Sequence, residues 1–296
     1  MGKRILQVAA GSVAVGVVVL ALKTAAWWVT GSVALLSDAL ESIINVFASG
    51  MALLAIHVAA RPADPGHPYG HYKAEYLSAV LEGVLIIVAA ITIIREAYFG
   101  FLDPQPPTAP LKGMLLNGAA SVINAAWCMV LIRVGRAYRS PALVADGKHL
   151  FSDVLTSVGV LVGFALAHLT GWLALDPLVA GLVALNIIYM GYTMMRDSLG
   201  GLMDAAAPPE VVTRIRDLVS QYGTGALEAH DLRTRSAGRA TFLDFHLVVP
   251  DGMTVQAAHD ICNAIEAALH NEMPELIVSI HVEPEHEAKL HGLPVL

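Results

Sequence analysis

The chain has 296 residues, of which 56% are hydrophobic and only 15% charged, and its mean hydropathy is +0.62. Residues 1–200 carry 12 Lys and Arg against 11 Asp and Glu, whereas residues 201–296 carry 6 against 14, so an apolar, nearly neutral two-thirds leads into an acidic tail. That balance excludes an ordinary soluble enzyme and a nucleic-acid binder, which needs a basic face, and Cys128 and Cys262 are too far apart in unlike contexts for a disulfide framework or a Cys-based zinc site.

The first 200 residues repeat apolar runs of membrane-crossing length. Ile5–Leu22, Gly113–Ile132 and Pro177–Met195 hold no ionisable residue, and Ser42–Ala60 and Val154–Leu175 hold only a histidine each. A bilayer core takes roughly 20 apolar residues in a helix. Tyr76–Tyr98 is as apolar apart from Glu82 and Arg95. These runs predict six transmembrane helices near 5–28, 32–58, 74–98, 112–134, 143–168 and 175–195, in a membrane domain over 1–204. A cleaved signal peptide over Met1–Ala21 is the weaker reading, because five further spans follow and no small-residue cleavage pattern stands out. Lys3, Arg4, Arg61, Lys73, Arg133, Arg136, Arg139, Lys148 and Arg196 fall on one side if the helices alternate, which places both termini and the tail in the cytoplasm of a multi-pass inner-membrane protein.

Beyond Pro208-Pro209 the pattern changes. An amphipathic stretch, Glu210–Tyr222, precedes alternating runs at Glu228–Arg235 and Thr241–Val249, a helical run from Thr254 to His270 and a strand-like Leu276–Val282. The order αββαβ predicts a small α+β domain over 205–296.

Ionisable residues inside a membrane are costly and read first as functional. Asp38, Glu41 and Asn45 in the second helix, and Asp146, His149 and Asp153 in the fifth, both fall at i, i+3, i+7, which stacks each set on one helix face. The segments ALLSDALESIIN and ALVADGKHLFSD are alike, a weak internal repeat whose two polar sets can meet near the midplane. Glu41, Asn45, His149 and Asp153 offer carboxylate, amide and imidazole donors suited to a first-row divalent cation, and protons compete for the same atoms. A buried hydrogen-bond network that locks helix packing is the alternative. Asp38 and Asp146, nearer the helix starts, read as local caps or gating groups rather than ligands.

Asp64, His67 and His71 form a second cluster in a Pro- and Gly-rich loop; with Pro68 after His67, it is not the helical HExxH of a metalloprotease. Seven of the 12 histidines lie in the tail. His230 and His246 sit on or beside its strands, His259 opens its second helix, and His281 and Glu283, two apart on a strand, share one side.

These segments resemble the cation diffusion facilitator family, metal/proton antiporters that export divalent cations, and most closely its bacterial zinc/iron-type members. The resemblance runs through GSVALLSDALESIIN, RPADPGHPYGHYKAE, HLFSDVLTSVGVL, GLMD, AHDLRTR, FHLVV, VQAAHD and SIHVEP, in that order. It implies a homodimer of six-helix protomers, each with a cytoplasmic ferredoxin-like domain. His149 and Asp153 match the family's transport-site pair; Asp64, His67 and His71 match a loop site; His230, His246, His259 and His281 match tail ligands, with Glu283 where an Asp is usual. Lys73 and Asp204 match a charge pair at the dimer interface that ties the helices to the tail. One position departs: the family has His or Asp, three residues, then Asp on the second helix, where this chain has Glu41 and Asn45.

The expected function is therefore efflux of a divalent cation in exchange for protons, with zinc foremost and iron, manganese, cobalt and cadmium as further cargo. The alternatives are a membrane-anchored metal sensor or scaffold without transport and a membrane hydrolase, for which no metal-plus-base motif exists in the spans. The chain reads as a transporter and not an enzyme.

Overall fold

A computed structural model describes residues 2–30, 33–103, 111–289 and 293–294, with the side chains of all but a few of them. It divides into two compact units, Met1–Leu199 and Gly200–Leu296.

The first unit consists of long helices: α1 (Gly2–Thr30), α2 (Val33–Ala59), α3 (Ala74–Leu102), α4 (Leu111–Ala137), α5 (Pro141–Thr170) and α6 (Leu175–Leu202). In lipid every backbone N–H and C=O must be satisfied within the protein, and a helix does this within one segment. Within α1, α2, α3, α4 and α6, the spans Arg4–Val29, Asp38–Ala59, Ala74–Leu102, Leu115–Ala137 and Leu175–Leu202 are long and apolar enough to cross a membrane. The 30-residue α5 is of matching length. Large apolar side chains such as Val17, Phe47, Leu54, Ile91 and Leu182 are exposed on the unit's outside, as lipid-facing residues should be.

The observed helices extend past the sequence boundaries. The largest excess is in α6, which runs on through Arg196 and Asp197 to Leu202 instead of stopping near 195. Its 28 residues would span about 42 Å, against a hydrocarbon core of about 30 Å. Charge marks where lipid should end, not where the hydrogen-bond ladder ends. At α5 the start is set locally: Pro141 has no N–H to leave unpaired in the first turn, and Ser140 Oγ accepts the Leu143 N–H at 3.4 Å.

α5 packs against α4, α3 and α2, and α1 packs against α2 and α4. Gly147 permits a close α4–α5 approach, because a Cβ there would lie 2.7 Å from Ile132 Cγ1 and 3.1 Å from Leu131 Cβ.

The second unit contains α7 (Pro209–Tyr222), β1 (Glu228–Ala237), β2 (Ala240–Val249), α8 (Val255–Glu272) and β3 (Leu276–Pro284), in the expected αββαβ order. A further two-residue strand, β4 (Leu293–Pro294), was not expected; it completes a sheet of order β3-β2-β1-β4. Two residues are too short to show alternation, and a proline lacks the strand donor, so this strand leaves no sequence signal. β1 and β2 form an antiparallel hairpin turning at Gly238, whose φ of 58° suits a residue without Cβ. β2 then crosses over through α8 to pair parallel with β3. Thr254 caps α8, accepting the Ala257 N–H at 3.2 Å. Leu243, Phe245, Leu247 and Val249 alternate along β2 into a core with Ile215, Leu218 and Val219 of α7 and Ile265 and Leu269 of α8. By that same alternation His246 points to the opposite face.

Candidate metal sites

In the membrane unit, Asn45 Nδ2 of α2 donates to Asp153 Oδ2 of α5 in a buried hydrogen bond, so the two polar sets meet. Asn45 Oδ1 and His149 Nδ1 are buried without a hydrogen-bond partner. An amide oxygen and an imidazole nitrogen with open lone pairs beside a carboxylate are suitable donors for a cation. Glu41 lies within electrostatic reach of Asp153, Asp38 and Lys23. Glu41, His149 and Asp153 are nevertheless less tightly gathered than the loop and tail groups below, which are the two carboxylate–imidazole clusters within 4.8 Å among the described residues.

Lys23 of α1 was missed by the sequence reading. Its side chain is 3% exposed, and its Nζ lies 2.7 Å from Asp38 Oδ1 and 4.0 Å from Asp153 Oδ2. It directly follows the uncharged run Ile5–Leu22 but lies inside the helix expected near 5–28, so the available signal was a lysine within a span, a charge that calls for a partner. The reading of Asp38 and Asp146 as local caps is also corrected. Both are the sixth residue of their helices, and their side chains bind other helices. Asp38 holds Lys23, and buried Asp146 accepts Ser12 Oγ of α1 at 2.5 Å and Ser49 Oγ of α2 at 2.7 Å. A backbone N–H at a helix start would have been available only one turn earlier.

In the loop between α2 and α3, Asp64 Oδ1 accepts the Gly66 N–H at 2.9 Å and the His67 N–H at 2.8 Å, and the backbones of Asp64 and His67 pair with each other. This turn sets His67 Nδ1 3.3 Å from Asp64 Oδ1 and His71 Nε2 3.4 Å from Asp64 Oδ2. The two rings lie 4.3 Å apart. The His67 amide, joined by the His67 ring and the Gly66 amide, holds the Asp64 carboxyl below the usual carboxylate range. A depressed pKa means that its charge favours the folded loop above the ordinary carboxylate pKa, and that this benefit is lost as pH falls through the depressed value. At neutral pH Asp64 is therefore anionic, as a candidate ligand should be. Lys73 ends this loop as the residue before α3.

The tail cluster follows from strand register. His230 of β1 stands opposite His246 of β2, and His246 opposite His281 of β3, so three imidazoles form a row across the sheet. A bulge after His230, where Asp231 takes φ 51°, breaks the pairing beside the site. Glu283 turns back onto the row: its Oε1 is 2.7 Å from His246 Nδ1 and its Oε2 3.1 Å from His230 Nε2. None of His230 Nε2, His246 Nδ1 and Glu283 Oε2 makes a hydrogen bond, despite this proximity. Lone pairs that are close but not aimed at one another suit a shared cation, and His230, His246 and Glu283 are the residues that would hold it. Glu228 Oε1, 2.9 Å from His230 Nδ1, orients that ring and leaves Nε2 open to a cation.

His281 is exposed, with Nε2 3.8 Å from Glu283 Oε1, at the edge of this cluster. His259 is exposed on α8 and is not brought into it. Asp204 lies 3.6 Å from the Arg235 guanidinium within the second unit.

Comparison with known proteins takes in nearly the whole chain. Residues 10–203 match the family model described as the cation efflux transmembrane domain, and residues 207–285 match that of the cation efflux protein cytoplasmic domain. The chain is 41% identical over 278 residues to a Synechocystis protein named uncharacterized transporter sll1263, covering 94% of this chain and 90% of that one. It is 32% identical over 286 residues to the cation-efflux pump FieF of Cronobacter sakazakii, covering 96% and 94%. A solved structure titled as the zinc form of a putative zinc transporter CzrB is 49% identical over 29% of this chain and 98% of that one, with a TM-score of 0.28. With both family models matched in order and full-length relatives on either side of one-third identity, the chain belongs to the cation efflux, or cation diffusion facilitator, family of transporters.

Proposed function

We propose that this protein exports a divalent metal cation from the cytoplasm in exchange for protons, by alternating access of a site between α2 and α5. The observation that carries this reading is the buried Asn45–Asp153 contact beside the unpartnered Asn45 Oδ1 and His149 Nδ1. Glu41, Asn45, His149 and Asp153 form the transport site. Cation entry requires deprotonated ligands, so cargo and protons exclude each other there. Zinc suits this mix of nitrogen and oxygen donors best, and Fe²⁺, Mn²⁺, Co²⁺ and Cd²⁺ are the other candidates.

Residues 1–204 serve as the transport domain and residues 205–296 as a cytoplasmic metal-binding domain. Asp64, His67 and His71 hold a loop ion; His230, His246 and Glu283 hold a tail ion, with His259 and His281 as the further ligands that the family resemblance implies. The protein works as a homodimer in the inner membrane with both termini cytoplasmic, an orientation supported by the Lys and Arg distribution. Lys73 and Asp204 keep the proposed role of interface charge pair.

Proteoliposomes with a pH-sensitive dye inside test the reading. Wild type should give a metal-dependent pH change, and Asp153→Ala should abolish it while the dimer still elutes intact. Metal binding without any cation or proton flux would instead identify a membrane-anchored sensor. Wild-type flux in Asp153→Ala would displace the site from α5.

A further inference from the structure

An ammonium group cannot ligate a metal, yet Lys23 is buried in the layer of the proposed transport site. Charges inside a membrane persist where they are paired, and Lys23 has two carboxylate neighbours, Asp38 at 2.7 Å and Asp153 at 4.0 Å. The third carboxylate within its electrostatic reach is Glu41. Asp153 Oδ2, the oxygen facing Lys23, also accepts the Asn45 amide. One cationic head therefore lies between a carboxylate outside the proposed ligand set and one inside it.

We propose that Lys23 is the transport site's tethered counter-cation, which neutralises Asp153 before cargo arrives and is displaced toward Asp38 when a divalent cation binds. The proposal rests on the efflux reading above. A cation ligated by Asp153 would sit about 2 Å from its oxygen, too near the ammonium for both to remain on that carboxylate. Lys23 is already in hydrogen-bonding contact with Asp38, and its flexible stem allows it to withdraw without leaving a carboxylate partner. Asp38 thus acts as the holding position. Lys23 weakens cargo binding and speeds release, as a transporter requires, since a site that binds too tightly does not turn over. Both residues are positioning groups that set affinity through Asp153 rather than by touching the cation.

The test measures Zn²⁺ flux against Zn²⁺ concentration in proteoliposomes containing the full-length protein. Lys23→Gln should lower KM at least tenfold and lower the maximal rate, because cargo no longer competes with a fixed charge and leaves more slowly. Asp38→Asn should raise KM severalfold, because Lys23 then loses its holding position and is left to the carboxylates of the proposed ligand set, Asp153 foremost. Lys23→Arg, which keeps the charge, should return KM toward the wild-type value. A purely structural tie between α1 and α2 predicts that Lys23→Gln and Asp38→Asn change KM in the same direction, or not at all; either result overturns the proposal. Should Lys23→Gln fail to assemble, Asp38→Asn decides alone: a raised KM upholds the proposal, and an unchanged or lowered one overturns it. Wild type without metal flux would overturn the efflux reading and this proposal together, whereas wild-type flux with unchanged KM in the variants overturns only the latter.

Discussion

Asn45 sits where the family resemblance leads one to expect a carboxylate, and its contacts suit a neutral amide to the proposed site. Its Nδ2 donates to Asp153 while Oδ1 stays open, so one side chain orients a proposed anionic ligand and offers a neutral donor beside it. Replacing it with Asp removes the donor and sets a carboxylate against Asp153. A carboxylate close to a divalent cation has a Coulomb energy on the order of several kcal/mol at an effective dielectric near 20, before desolvation is subtracted. Asn45→Asp should therefore change the order of transport rates among Zn²⁺, Fe²⁺, Mn²⁺, Co²⁺ and Cd²⁺ in proteoliposome assays. An unchanged order would remove Asn45 from the ligand set and leave the site to Glu41, His149 and Asp153.

Among the elements, α5 carries two of the proposed transport ligands, and it packs closely on α4 at Gly147. Gly147→Leu would press new atoms on Ile132 and Leu131, and overpacking of this kind costs about 1–3 kcal/mol. The dimer should melt several degrees lower and transport should fall, with partial rescue by Ile132→Ala; full melting temperature and full transport would show that the contact does not hold the site. The helices themselves were legible in the sequence because lipid demands long apolar runs, and the tail's strands because a half-buried sheet alternates. What escaped the sequence depended on partners distant in the chain. Lys23 gains its meaning from Asp38 and Asp153, and Asp146 from Ser12 and Ser49, none of which periodicity can pair. His230, His246 and His281 were legible as candidates, but their alignment in one row is a matter of register. His259 has the same chemistry on a helix and does not join the cluster of His230, His246 and Glu283.

At the scale of the whole molecule, the chain couples a nearly neutral membrane unit to a tail in which 6 Lys and Arg face 14 Asp and Glu, a net charge of −8. In a homodimer two such tails repel each other, and that repulsion is strongest at low salt because the Debye length is about 8 Å at physiological ionic strength. Cations bound by His230, His246 and Glu283 would offset part of this charge and remove the misfit between nearby, unbonded donors. Zinc should therefore draw the two tails of the full-length dimer together or rigidify them, with a larger effect at low ionic strength. Small-angle scattering in detergent would register the first as a smaller radius of gyration, and cross-linking between single cysteines in the two tails would register either. His246→Ala should remove the response while leaving metal-dependent flux through the α2–α5 site measurable, because the substitution lies outside that site. Zinc binding to the tail, verified by calorimetry against the His246→Ala variant, with no change in scattering or cross-linking would show that the tail binds metal without moving.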